Sequence, residues 1–114
     1  VKSYMKNISK AWPDKQVKKI ANKYVSEVVK SGIPVSAAYL FGSYAKGISN
    51  MYSDIDICII SPKFGKDYFK ESLKLDSLTN GVDSRIEAVP LNPKDLDDKY
   101  STLASEIKKY GITL

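Results

Sequence analysis

The sequence predicts an α+β domain, a two-layer α/β arrangement of helices against a small sheet, and three observations carry that reading. A lysine-rich segment from Pro13 onward repeats its apolar residues at helical spacing. Two aliphatic runs, residues 35–41 and 54–60, are too short for helices and are bounded by Gly, Ser and Pro. A third stretch, residues 82–89, alternates side by side as a strand does. With 114 residues, 43% of them apolar and 27% charged, the chain has the balance of one globular domain over residues 1–114.

Taken in order, Tyr4, Met5, Ile8 and Trp12 line a short helix or packed arm. Pro13 suits a first helical position, and Asp14 suits the positive end of the helix dipole. Val17, Ile20, Ala21, Tyr24, Val25 and Val28 then form one face, while Lys15, Lys18, Lys19, Lys23 and Glu27 fall mostly on the other. Gly32 caps this helix and Pro34 forbids its continuation. Residues 35–41 read as a buried strand ended by Gly42-Ser43, and Gly47, Ser49, Asn50 and Ser53 mark a loop. The run DIDICII, residues 54–60, is a second strand closed by Ser61-Pro62. Phe64, Tyr68, Leu73 and Leu75 predict a helix over residues 64–78, and Asn80-Gly81 a turn. The third strand, residues 82–89, stops at Pro90 and Pro93. A helical turn over residues 95–100, a helix over 101–110 capped by Gly111, and a terminal strand through Ile112 and Leu114 complete the chain.

Absent residues narrow the chemistry. There is no histidine and one cysteine, Cys58, which excludes imidazole catalysis, histidine metal sites, internal disulfides and thiolate zinc sites. Cys58 lies in an apolar strand as an inert packing residue, and a lone cysteine fits a reducing cytoplasm. No apolar run approaches the ~18–20 residues that span a bilayer. Lys2, Lys6, Asn7 and Lys10 break any signal-like stretch. The net charge of +5 is uneven, with +7 over residues 1–50 and −2 over residues 51–114. The basic half attracts nucleic acid, nucleotide phosphates or an acidic protein, or simply solvates the first helix. Eight tyrosines beside lysines raise base stacking. Tyr24 and Tyr39 fall on core faces, whereas Tyr44 follows the Gly-Ser turn directly.

The informative segment is FGSYAKGISNMYSDIDI. Asp54 and Asp56, at i and i+2 on a strand, share one face about ~6.7 Å apart, with Ile55, Ile57 and Ile59 on the other as core. Paired carboxylates repel and call for a cation. With neither His nor Cys to share the ligation, that cation is Mg²⁺ or Mn²⁺, and two such ions ~3.5–4 Å apart serve in-line phosphoryl displacement. Gly42 lets a phosphate approach the backbone, the Ser43 hydroxyl donates to a phosphate oxygen, and Lys46 one turn on neutralises the outer phosphates.

GSYAKGISNMYSDIDI resembles the G-S-x10-D-x-D signature of the nucleotidyltransferase superfamily related to DNA polymerase β, and most closely its minimal nucleotidyltransferase (MNT) domains. The resemblance runs over residues 14–89 and carries Gly42, Ser43, Asp54 and Asp56, with Lys46 at a position usually basic. It implies a mixed, mostly antiparallel sheet with helices on one side, and transfer of a nucleoside monophosphate from ATP or another NTP. It also implies a third carboxylate on the neighbouring strand. Asp83 and Glu87 both qualify there, but lie ~13 Å apart and cannot both serve. RIEAVPL is similar to an Arg-Ile-Glu-x-x-Pro segment of small family members, which favours Glu87. Arg85 either contacts a phosphate or pairs with Asp83.

Three carboxylates, Asp54, Asp56 and Glu87, would then hold two Mg²⁺ ions, and the third would double as base. A chain this small leaves the acceptor to another chain. The resemblance implies a HEPN-domain toxin whose antitoxin is the MNT protein, acting by AMPylation of a protein hydroxyl; a homodimer is the other way to complete the site. The competing readings are a non-catalytic antitoxin or binding module with this fold, and a basic nucleic-acid-binding domain, which lacks a recognition motif.

Overall fold

A computed structural model describes residues 15–50 and 52–114, so Tyr4, Met5, Ile8, Trp12, Pro13 and Asp14 lie outside the described residues. Helix α1 (Lys15–Lys30) buries Val17, Ala21, Tyr24 and Val28, one residue per turn or near it, and turns its lysines outward. It gives way to Gly32 at φ +101°, a left-handed value that closes the helix. Strand β1 (Ala37–Phe41) follows, then the short α2 (Gly42–Lys46), β2 (Ile55–Ile60), α3 (Tyr68–Ser77), β3 (Ile86–Leu91), a 3₁₀ turn (Pro93–Asp97), α4 (Thr102–Tyr110) and β4 (Ile112–Thr113).

The four strands lie in the order β3-β2-β1-β4. β1 runs antiparallel to both β2 and β4, and β2 runs parallel to β3, so the sheet is mixed and mostly antiparallel as the signature implied. One face of the sheet presents Ala38, Leu40, Ile55, Ile57, Ile59 and Ile86 to α1 and to Leu75 of α3. The two longest helices thus share one layer. The opposite face is partly covered too: Cys58 and Ile60 meet Ile107 and Leu103 of α4 and Leu96 of the 3₁₀ turn. Burial pushes the Cys58 thiol up to about 12, in keeping with a packing role.

Two element starts differ most from the sequence expectation. α3 begins at Tyr68, because Asp67 caps it by accepting the Lys70 N–H at 3.1 Å. The Glu71 carboxylate also accepts the N–H groups of Gly65, Lys66 and Asp67, which holds the preceding loop open. Phe64 is therefore a buried loop residue. β3 begins only at Ile86 and runs through Pro90, rather than ending at Val89. Residues 82–85 form a turn in which Thr79 O accepts the Val82 and Asp83 N–H groups. Pro90 is tolerated because β3 is an edge strand, where a missing donor can face away from the ladder.

Tyr24 ties the helical layer together, its buried hydroxyl donating to Leu75 O at 2.6 Å. Burial, with Asp76 nearby, raises its pKa well above the usual phenol range. Tyr24→Phe should lower unfolding free energy by about 1 kcal/mol in a urea titration, because the Leu75 carbonyl keeps the Leu78 N–H as a second donor.

Candidate active site

The site is built where three strands fall into register. Asp56 on β2 sits opposite Phe41, the last residue of β1, and opposite Glu87 on β3. Adjacent strands are ~4.8 Å apart, so the Gly42-Ser43 turn, Asp56 and Glu87 form a row across the sheet. The two carboxylates point to the face that carries α4, as does Asp54 by its i, i+2 relation to Asp56. Asp54 and Glu87 are exposed and Asp56 is half-buried.

Gly42 is required by this row. Its φ is +72°, and a Cβ built on it would overlap the Asp56 carboxylate. α2 then turns for five residues and closes at Gly47, φ +74°, with Ser43 O accepting the N–H groups of Gly47 and Ile48. So short a helix carries little dipole, so any hold on an anion rests on its amides and side chains. The Ser43 hydroxyl has no hydrogen-bond partner among the described residues.

The charge at the centre stands among other acids. The pKa of Asp56 is raised to about 6, first by burial, then by the charges of Glu87, Asp54 and Glu106. The cations nearby are already engaged. Arg85 pairs with Asp83, Nη2 to Oδ2 at 3.0 Å and Nε to Oδ1 at 3.1 Å, which holds the Asp83 carboxyl below the usual range. Lys46 faces Glu106 at 3.4 Å and lies 5.3 Å from the Tyr110 ring centroid. Of the two alternatives for a third carboxylate, Asp83 is thus committed to Arg85, and Glu87 stands beside Asp56.

A set of carboxylate donors around a half-buried acid suits a hard divalent ion. Among the described residues no three such side chains converge on one point at coordination distance.

Tyr44 is not a stacking platform. Its ring is buried in the core and its hydroxyl donates to Asn50 O at 3.1 Å, while Arg85 Nη1 donates to the tyrosine oxygen at 3.5 Å. Glu106 is the residue the sequence reading missed. Its Oε2 accepts the Gly42 N–H at 3.0 Å from a position 64 residues away. The available signal was a single acid in the last fourteen residues, beside the apolar Leu103 and Ile107.

A family model described as a nucleotidyltransferase domain matches residues 8–111. Curated proteins provide no match. Among solved structures, a protein from Sulfolobus solfataricus described as a candidate nucleotidyltransferase is similar in fold, with a TM-score of 0.64, 22% identity, and 86% of this chain and 78% of that chain covered. A toxin-antitoxin structure with AMP-PNP is similar at TM-score 0.58 and 25% identity, over 80% of this chain and 69% of that one. The Y104A variant of the MntA-HpeT toxin-antitoxin is similar at TM-score 0.58 and 27% identity, over 82% and 69%. Among the described residues no helix is long and apolar enough to cross a membrane.

Two outcomes test this geometry. Gly42→Ala should destabilise the protein by about 1–3 kcal/mol in denaturant titrations, since strain and the clash with Asp56 act together. Asp56→Asn should stabilise the metal-free protein at about pH 7.5, by about 1 kcal/mol after allowance for solvent at this half-buried group. The sign follows from a folded-state pKa of about 6 lying above the unfolded value: ionisation penalises folding as pH rises from about 4 to about 6. Thermal melts in chelator should show the gain at about pH 7.5 and its disappearance near pH 3.5.

Proposed function

The chain belongs to the nucleotidyltransferase domain family, and on that premise we propose that it transfers AMP from ATP to a hydroxyl of a partner protein, as the antitoxin half of a HEPN/MNT toxin-antitoxin pair, with residues 1–114 as the single catalytic domain. The observation that carries the chemistry is the row of Gly42-Ser43, Asp56 and Glu87 across three strands, with Asp56 half-buried among other acids. The toxin-antitoxin neighbours, one of them with AMP-PNP, support the choice of partner and nucleotide.

Asp54, Asp56 and Glu87 would hold Mg²⁺, two ions in the reading from sequence, with Mn²⁺ as a substitute. Bound there, the metal supplies neutralisation of the triphosphate and acidification of the acceptor hydroxyl. Gly42 N–H and the Ser43 hydroxyl donate to non-bridging phosphate oxygens, and Lys46 neutralises the outer phosphates. The acceptor oxygen attacks the α-phosphorus, a new P–O bond forms, and the bond to pyrophosphate breaks. Glu87, exposed at the sheet edge, takes the hydroxyl proton.

A second reading, an antitoxin that acts by contact alone, draws on Tyr68, Phe69 and Leu73, which stand exposed on α3. Label transfer from α-labelled ATP with Mg²⁺ in a source-organism extract separates the two. A labelled band with wild type but not with Asp54→Asn/Asp56→Asn is expected. Absence of both transfer and nucleotide binding would overturn the enzyme reading. Partner capture by the doubly substituted protein without transfer would favour contact alone.

A further inference from the structure

Glu106 reaches the start of α2 from α4 and lies against two groups assigned above to the triphosphate. Its Oε2 takes the Gly42 N–H at 3.0 Å, and its Oε1 faces Lys46 Nζ at 3.4 Å. Its charge also acts on Asp56. The anchoring of α4 does not need this acid: Leu103, Ala104 and Ile107 bury the helix, and Ser101 caps it by accepting the Ala104 N–H. The contact is open to water, with side-chain exposures of 33% for Lys46 and 30% for Glu106, so it is weak enough for a more highly charged anion to displace.

We infer that Glu106 is an internal competitor for the triphosphate: its carboxylate occupies the Gly42 amide and Lys46 in the free chain, and nucleotide binding displaces it. Glu106 thereby sets the affinity of the site for polyphosphates and keeps Lys46 neutralised between turnovers. Tyr110 also contacts Lys46, with the ammonium 5.3 Å from the ring centroid, so the lysine stays near α2 when the carboxylate leaves. The inference rests on the proposed nucleotide site and goes beyond it in naming what fills that site in the free chain.

Calorimetric titration of the full chain with AMP-PNP, and separately with inorganic tripolyphosphate, both with Mg²⁺, tests it. Glu106→Gln removes the charge. Glu106→Asp keeps the charge but withdraws it by one methylene from both partners. Both variants should bind about three- to tenfold more tightly than wild type. Tighter binding by Glu106→Gln alone would assign the effect to the general field of the carboxylate and overturn the inference. Unchanged or weaker binding by both would make Glu106 a support for α2 and overturn it as well. Absence of binding by wild type and both variants would overturn the nucleotide reading itself. Wild-type NMR gives a readout independent of any variant: tripolyphosphate should shift the Gly42 amide and the Glu106 carboxyl carbon together. A Gly42 shift with an unmoved Glu106 carbon would overturn displacement.

Discussion

The half-buried carboxylate of Asp56 is the constraint around which the rest of the site is arranged. It sits between an antiparallel neighbour and a parallel one, so its position is set by two ladders at once. Burial raises its pKa most, and the charges of Glu87, Asp54 and Glu106 add to the penalty. A protein carries such a group at a cost to stability when the group is used for something else. Here the use consistent with the family is to meet a hard cation and the phosphate it accompanies.

Accommodating that carboxylate shapes the backbone beside it. Only a residue without a Cβ can follow Phe41, because the space is taken by the Asp56 oxygens and the backbone turns through positive φ. Asn50 and Ser53, which follow α2, are then pinned locally. Tyr44 donates to Asn50 O, and Asn50 and Ser53 bond to each other's backbone. Arg85 reaches the same tyrosine while paired with Asp83, so the lead-in to β3 is stitched to α2. Those bonds tie down the segments that lead into β2 and β3, where Asp54 and Glu87 lie.

The second face of the sheet adds the remaining control. α4 packs on the carboxylate face through Ile107 and Leu103, and this brings Glu106 and Tyr110 to α2. Lys46 therefore contacts an acid and an aromatic ring of the same helix. The charge bias of the chain plays a smaller part than its sum implies. The lysines of α1 face outward, away from the core that its apolar side forms with the sheet.

Much of this was legible in the residues. Ile55, Ile57 and Ile59 alternate with Asp54, Asp56 and Cys58, and a period of two can only place them on opposite faces of a strand. The Gly42-Ser43 turn and the Asp54-x-Asp56 pair lie within one short segment, where local geometry follows from spacing. The α1 face was equally plain, because helical period is local as well. Other features were decided only by the tertiary structure. The start of β3 at Ile86, the pairing of Arg85 with Asp83, the burial of Tyr44 and the reach of Glu106 to Gly42 depend on partners outside their own segments or on competing turn bonds. Periodicity states which face a side chain takes. It does not state what the register of distant strands and the docking of α4 bring to that face, because those contacts exist only once the layers pack.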